Sequence, residues 1–288
     1  MMTVFSLKIL ALICMLIDHI GAYLPDMPVQ LRWIGRIAAP LFVFCLCEGV
    51  DHTSDERKYL LRLYAGSILM AVIQMTTGVR ANIFRTLFAI AFNCVMIKNI
   101  RKGRSQYIRY YSLYLAWQLI TVILFGWLYA VNNQAEIIRR LYPAIAGSVA
   151  FCEYGVPFII FGIMIYLLKD NKKKLIYGYV IYVALFALLS LTKFTKTLTE
   201  PLIAASASPE TLRYHINIAF FTVANSFRPG VAGGDGLHTQ YQWMMIISLI
   251  PILMYNGKKG RSMKWFFYAF YVLHLLGLWY LGTILATA

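Results

Sequence analysis

Runs of about 20 apolar residues return along this chain from its first ten residues to its last. A run of that length fits the hydrocarbon core of a bilayer as a helix, and repeated runs leave few soluble folds open. Composition agrees: 60% of the 288 residues are hydrophobic and 14% charged, where soluble domains carry about a quarter charged residues. The fold class expected is all-α, a polytopic integral membrane helical bundle formed by residues 1–288 as a single domain. The spans read as 7–24, 31–50, 59–77, 81–99, 107–130, 145–168, 174–192, 239–257 and 264–285. Residues 212–224 are shorter and more polar, so they read as re-entrant or interfacial, giving nine spans, or ten if they cross. The first run lacks a small-residue cleavage site and contains Asp18 and His19, so it is not read as a signal peptide.

The formal charge of +15 does not point to nucleic acid, because the basic residues stand in short clusters between apolar runs. Four clusters dominate: Arg57 with Lys58; Lys98, Arg101, Lys102 and Arg104; Lys169 with Lys172, Lys173 and Lys174; and Lys258, Lys259 and Arg261. Nine spans put all four on the cytoplasmic side of the membrane, with the N-terminus inside and the C-terminus outside. The five cysteines all fall in apolar runs. Cys45 and Cys47 point to different sides of one helix, so no metal site is expected and the thiols read as packing residues.

Against this background the ionisable residues inside the spans stand out. In ICMLIDHIGAYL, Asp18 and His19 lie in the outer half of the first span. Arg36 lies at a similar depth in the second, and Asn82 and Arg85 enter the fourth from the same side. Gln74, Glu153, Gln240, Gln242 and His274 extend this layer. A charge near the centre of a membrane helix costs about 2.5–3.5 kcal/mol on insertion scales, so such groups face protein or water and mark functional sites. Neighbours on a helix diverge by about 100°, so Asp18 is expected to pair with Arg36 or Arg85 and leave His19 free. Ion-paired helix glue is the bland account of the layer; a functional cavity is the sharper one, because imidazole exchanges protons near neutral pH. A second group, at the cytoplasmic ends, holds Glu48 and His52 on one helix face, then Arg57, Tyr59 and Arg62. The fork of arginine suits phosphate, which points to a nucleotide-bearing ligand entering from the cytoplasm.

The motifs MLIDH, GRIAAPLFVF, the H-T-x5-Y-x2-R element from His52 to Arg62, ANIFRTLF, and the closing FYAFYVLH resemble the TraX family of inner-membrane proteins. They cover well under half of the chain, in the family's order. Val272 stands where the family often has proline, and residues 105–235 carry no matching motif. The resemblance implies a bacterial inner-membrane acyltransferase that takes the acetyl group from cytoplasmic acetyl-CoA. The acceptor, at the outer side, is an amine or hydroxyl of a peptide, pilin, glycan or small molecule. Residues at matching positions are Asp18, His19, Arg36, Glu48, His52, Tyr59, Arg62, Asn82 and His274.

In this reading His19 is general base or acyl carrier, Arg36 or Asn82 stabilises the oxyanion, and His274 is a second base. Asp18 tunes the site, Arg85 contributes to substrate binding, and Arg57, Tyr59, Arg62, Glu48 and His52 hold the donor. The rival class is a proton-coupled transporter or exporter of a small polar solute, which uses the same intramembrane residues. It predicts inverted repeats or paired broken helices, which the sequence lacks. A purely structural assembly protein comes third.

Overall fold

The structure is a computed structural model that describes residues 1–131, 136–191, 237–239 and 241–287. The 212–224 segment and Gln240 lie outside the described residues. The described residues form helices α1 (Val4–Tyr23), α2 (Gln30–Gly35), α3 (Ala38–His52), α4 (Glu56–Thr76), α5 (Ile83–Arg101), α6 (Gln106–Val131), α7 (Glu136–Ala146), α8 (Gly155–Leu168) and α9 (Lys172–Leu191). A 3-10 helix (Tyr241–Ser248) then leads into α10 (Leu249–Leu253), and α11 spans Lys264–Thr287. Among the described residues, seven helices are long and apolar enough to cross a membrane, with α2 and α3 counted as one stretch, Gln30–His52. The protein is therefore an integral membrane protein by the character of its helices.

Two expected spans take another form, so the count of nine to ten is not confirmed. Residues 145–168 are not one helix. The chain turns at Gly147 (φ 61°) and again at Tyr154 and Gly155 (φ 62° and 68°), leaving α8 with 14 residues, about 21 Å at 1.5 Å per residue. Residues 239–257 become a 3-10 helix of eight residues followed by a short α-helix. A 3-10 run of that length is uncommon. Here the Ser248 hydroxyl bonds the Met245 carbonyl (2.6 Å) and meets the Tyr179 hydroxyl (2.5 Å). The orientation inferred above rested on nine spans. The sequence reading also missed α7.

The chain divides into two compact units, Met1–His52 with Met164–Leu188 and Gly234–Ala288, and Thr53–Ile163 with Leu189–Gly233. In the first, α1 packs on α2, α3 and α11. Its start is fixed by the 254–260 stretch. Met2 bridges to Tyr255, and the carbonyls of Lys258 and Lys259 accept from the amides of Val4 and Phe5 (2.9 and 3.1 Å). Those amides open the helix and have no partner inside it. Thr3 caps α1 by accepting from the Ser6 amide (3.1 Å). Gly260 must be glycine, since its φ is 72° and a Cβ would lie 2.7 Å from the Thr3 hydroxyl. At the other end of α1, Gly282 of α11 lets that helix meet the Tyr23 carbonyl.

In the second unit α4 packs on α5 and α7, and α6 on α5 and α7. Asp55 caps α4 through the Lys58 amide (2.9 Å), the expected use of aspartate there. Glu56 pairs with Lys98 (2.9 Å). The five cysteines are buried and free, and no cluster among the described residues could hold a metal.

Candidate functional site

Helix α2 ends at Gly35 and the backbone re-forms a helix only at Ala38. This break lies beside Asp18 of α1. A Cβ at residue 35 would fall on the Asp18 side chain, so glycine is what lets the carboxylate approach. Asp18 is 6% exposed and holds two arginines. Arg36 Nη2 lies 2.6 Å from Oδ1, and Arg32 Nη1 lies 3.1 Å from Oδ2 while also donating to the Asp18 carbonyl (2.8 Å). The rest of the Arg36 fork is occupied: Nε donates to the Arg32 carbonyl (3.1 Å) and Nη1 to Gln242 Oε1 (3.0 Å). The guanidinium also lies over the Tyr241 ring, 5.4 Å from its centre.

His19 faces another way. Its Nδ1 lies 2.7 Å from Nε2 of His274 on α11, and the two rings stack with centres 5.0 Å apart. His274 Nδ1 in turn lies 2.6 Å from the Phe270 carbonyl. A carbonyl only accepts, so His274 Nδ1 carries the proton, and in the neutral ring Nε2 is then the acceptor. His19 Nδ1 must therefore be the donor, which leaves the lone pair of its neutral ring on Nε2. That nitrogen lies 4.0 Å from Asp18 Oδ2. One carbonyl on α11 thus fixes the tautomers of both histidines, and the available basic nitrogen stands within reach of a carboxylate's field. Chemically, the neutral Nε2 can accept a hydrogen bond or a proton, beside a carboxylate already shared by two arginines.

Asp18, His19, Arg36 and His274 are thus brought together in the first unit. Of the two partners expected for Asp18, Arg36 is the one found. Arg32 went unrecognised in the sequence reading, although it stands four residues before Arg36 and so on the same helix face. Gly35 carried no signal, because its role appears only when α1 and α2 are packed.

The remaining candidates lie elsewhere. Glu48 of α3 is buried, with Lys169 Nζ 2.8 Å from Oε1 and the Tyr255 hydroxyl donating to Oε2 (2.9 Å). Lys169 also pairs with Asp51 (2.7 Å), which accepts from the Tyr166 hydroxyl (2.9 Å). His52 donates from Nδ1 to the Glu48 carbonyl (2.8 Å). Arg57, Tyr59 and Arg62 occupy the first two turns of α4 in the second unit, Arg57 exposed and Arg62 over the Tyr59 ring (5.9 Å). Asn82 and Arg85 open α5 in that unit, where Asn82 Nδ2 donates to the Ser67 carbonyl (3.0 Å).

Burial alone would lower the Lys169 pKa, but the Asp51 and Glu48 carboxylates outweigh it and hold the ammonium well above the usual lysine range. A raised lysine contributes its full stability below the unfolded value, about 10.4, and loses it as pH rises through the higher folded value. Lys169→Gln should therefore destabilise the protein by about 2 kcal/mol, with a penalty that is flat from about pH 6 to 9. Thermal unfolding across that range checks both points.

The family model described as "TraX protein" matches residues 5–282. The probable fimbrial assembly protein FimC, serogroup H1, of Dichelobacter nodosus is 41% identical over 63 residues, 20% of this chain and 26% of that protein. The chain thus spans about a quarter of that relative's length. No solved structure matches. A family match from one end of the sequence to the other identifies this chain as a member of the TraX family.

Proposed function

We propose that this protein is a membrane-embedded acetyltransferase, moving an acetyl group from cytoplasmic acetyl-CoA to an amine or hydroxyl acceptor at the outer side of the bacterial inner membrane. The observation that carries the reading is the ordered chain from the Phe270 carbonyl through His274 to His19 Nδ1. It leaves His19 Nε2 as a base beside Asp18. The acceptor N–H or O–H gives its proton to Nε2 as its heavy atom bonds the thioester carbon. The carbon–sulfur bond then breaks, and the thiolate leaves and takes the proton back. Asp18 holds Arg32 and Arg36 in place beside the base. Arg36, whose fork is occupied, holds Asp18 rather than the reacting oxygen in this reading. His274 is a positioning residue. The guanidinium groups of Arg57 and Arg62, on the first turns of α4, suit phosphate.

The similarity to a protein named for fimbrial assembly favours a pilin N-terminal amine as acceptor. The test is transfer of labelled acetyl from acetyl-CoA to pilin-derived peptides by the purified protein in lipid nanodiscs. Coenzyme A at a hundredfold over its dissociation constant should also stabilise the fold by about 2.7 kcal/mol. A protein that neither transfers acetyl nor responds to coenzyme A is no acetyltransferase, and a carrier would be the better account.

A further inference from the structure

Among the described residues, the second unit holds a buried charge without an ion pair. Arg85, on the first turn of α5, is 8% exposed. Its Nε is buried with no hydrogen-bond partner, and the guanidinium forms no ion pair among the described residues. Arginine cannot shed its proton to escape burial, and buried charges are ordinarily paired.

Two further buried polar atoms of the second unit have no partner. Asn82 stands three residues earlier in the chain and is fully buried. It occupies the N-cap position, yet its side chain does not cap α5. Instead Nδ2 donates to the Ser67 carbonyl (3.0 Å), while Oδ1 has no partner. The Ser67 hydroxyl, 1% exposed, has none either. Glu153 accepts from the Asn82 amide through its carboxylate and from the Thr86 hydroxyl through its carbonyl (3.1 Å). The next residue, Tyr154, sits at φ 62°, a conformation bulky side chains adopt only when their surroundings hold them there.

We propose that this cluster of unsatisfied polar groups binds an oxyanion, the carboxylate or phosphate group of a small ligand. Arg85 is its counter-charge, and Asn82 Oδ1 and the Ser67 hydroxyl take a neighbouring N–H or O–H of the same ligand. One water could satisfy an amide oxygen, but it carries no charge to balance a guanidinium. The inference does not depend on acetyl transfer.

The test uses the full chain in phosphatidylcholine nanodiscs. Its unfolding temperature is followed against inorganic phosphate, acetate and chloride at matched ionic strength. Phosphate or acetate should raise the midpoint with saturation while chloride does not, and whichever acts names the source of the oxyanion. Arg85→Gln should weaken the apparent affinity by about tenfold or more. Asn82→Asp places a carboxylate beside the guanidinium. It should raise the midpoint without ligand and abolish the response to the anion, a paired outcome that a purely structural arginine would not give. If Arg85→Gln fails to fold, the Asn82→Asp pair of readings decides alone. An equal response to all three salts means an adventitious ion only. That result, no response, or a full response retained in Asn82→Asp overturns the proposal.

Discussion

If the protein transfers acetyl groups as proposed, replacing His19 with alanine should lower that transfer by about 10²–10⁴-fold, the range a positioned general base contributes. The fold should survive, since the side chain is 13% exposed and its removal leaves no buried charge. The more telling comparison is at His274. If its Nε2 only accepts from His19, then His274→Gln, whose amide oxygen can also accept, should keep more activity than His274→Ala. Neither should match the loss at His19. Substrate concentration dependence separates the roles further: loss of the base lowers kcat and kcat/KM together, the mark of an interaction made in the transition state. If His274→Gln and His274→Ala are equally inactive while His19→Ala still turns over, the assignments are reversed.

The second large effect is expected at Asp18. Asn has nearly the same shape, so Asp18→Asn removes charge without opening a cavity. It leaves Arg32 and Arg36, the latter 7% exposed, facing each other without their shared carboxylate. Breaking a buried ion pair from one side costs about 3–5 kcal/mol, because the surviving charge stays desolvated. The variant should unfold at markedly lower temperature, and adding Arg36→Gln should recover part of the loss, a coupling that a double-mutant cycle measures. Gly35→Ala should act on the same contact from the other side, because the new methyl group takes the volume of the Asp18 side chain. An Asp18→Asn protein as stable as wild type would mean the arginines are held by something else.

Much of this architecture was open to sequence reasoning because bilayer insertion is a local property. A 20-residue apolar run declares itself, and the predicted bounds 59–77, 81–99, 107–130, 174–192 and 264–285 fall within three residues of α4, α5, α6, α9 and α11. Where the reading failed, backbone geometry overrode hydropathy. Residues 145–168 are apolar enough to span, yet left-handed turns at Gly147, Tyr154 and Gly155 divide them. Hydropathy cannot register a change of φ.

The site divides in the same way. Composition and period alone determined that Asp18, His19, Arg36 and His274 could not face lipid, since each would carry an insertion penalty. Which of them touch was decided by tertiary packing. The carboxylate meets Arg32 and Arg36 because Gly35 leaves room for it, and a histidine 255 positions away fixes the proton on His19. Insertion energies depend on one residue and its depth. Hydrogen bonds and ion pairs depend on angles and distances between two, and only the folded chain supplies those.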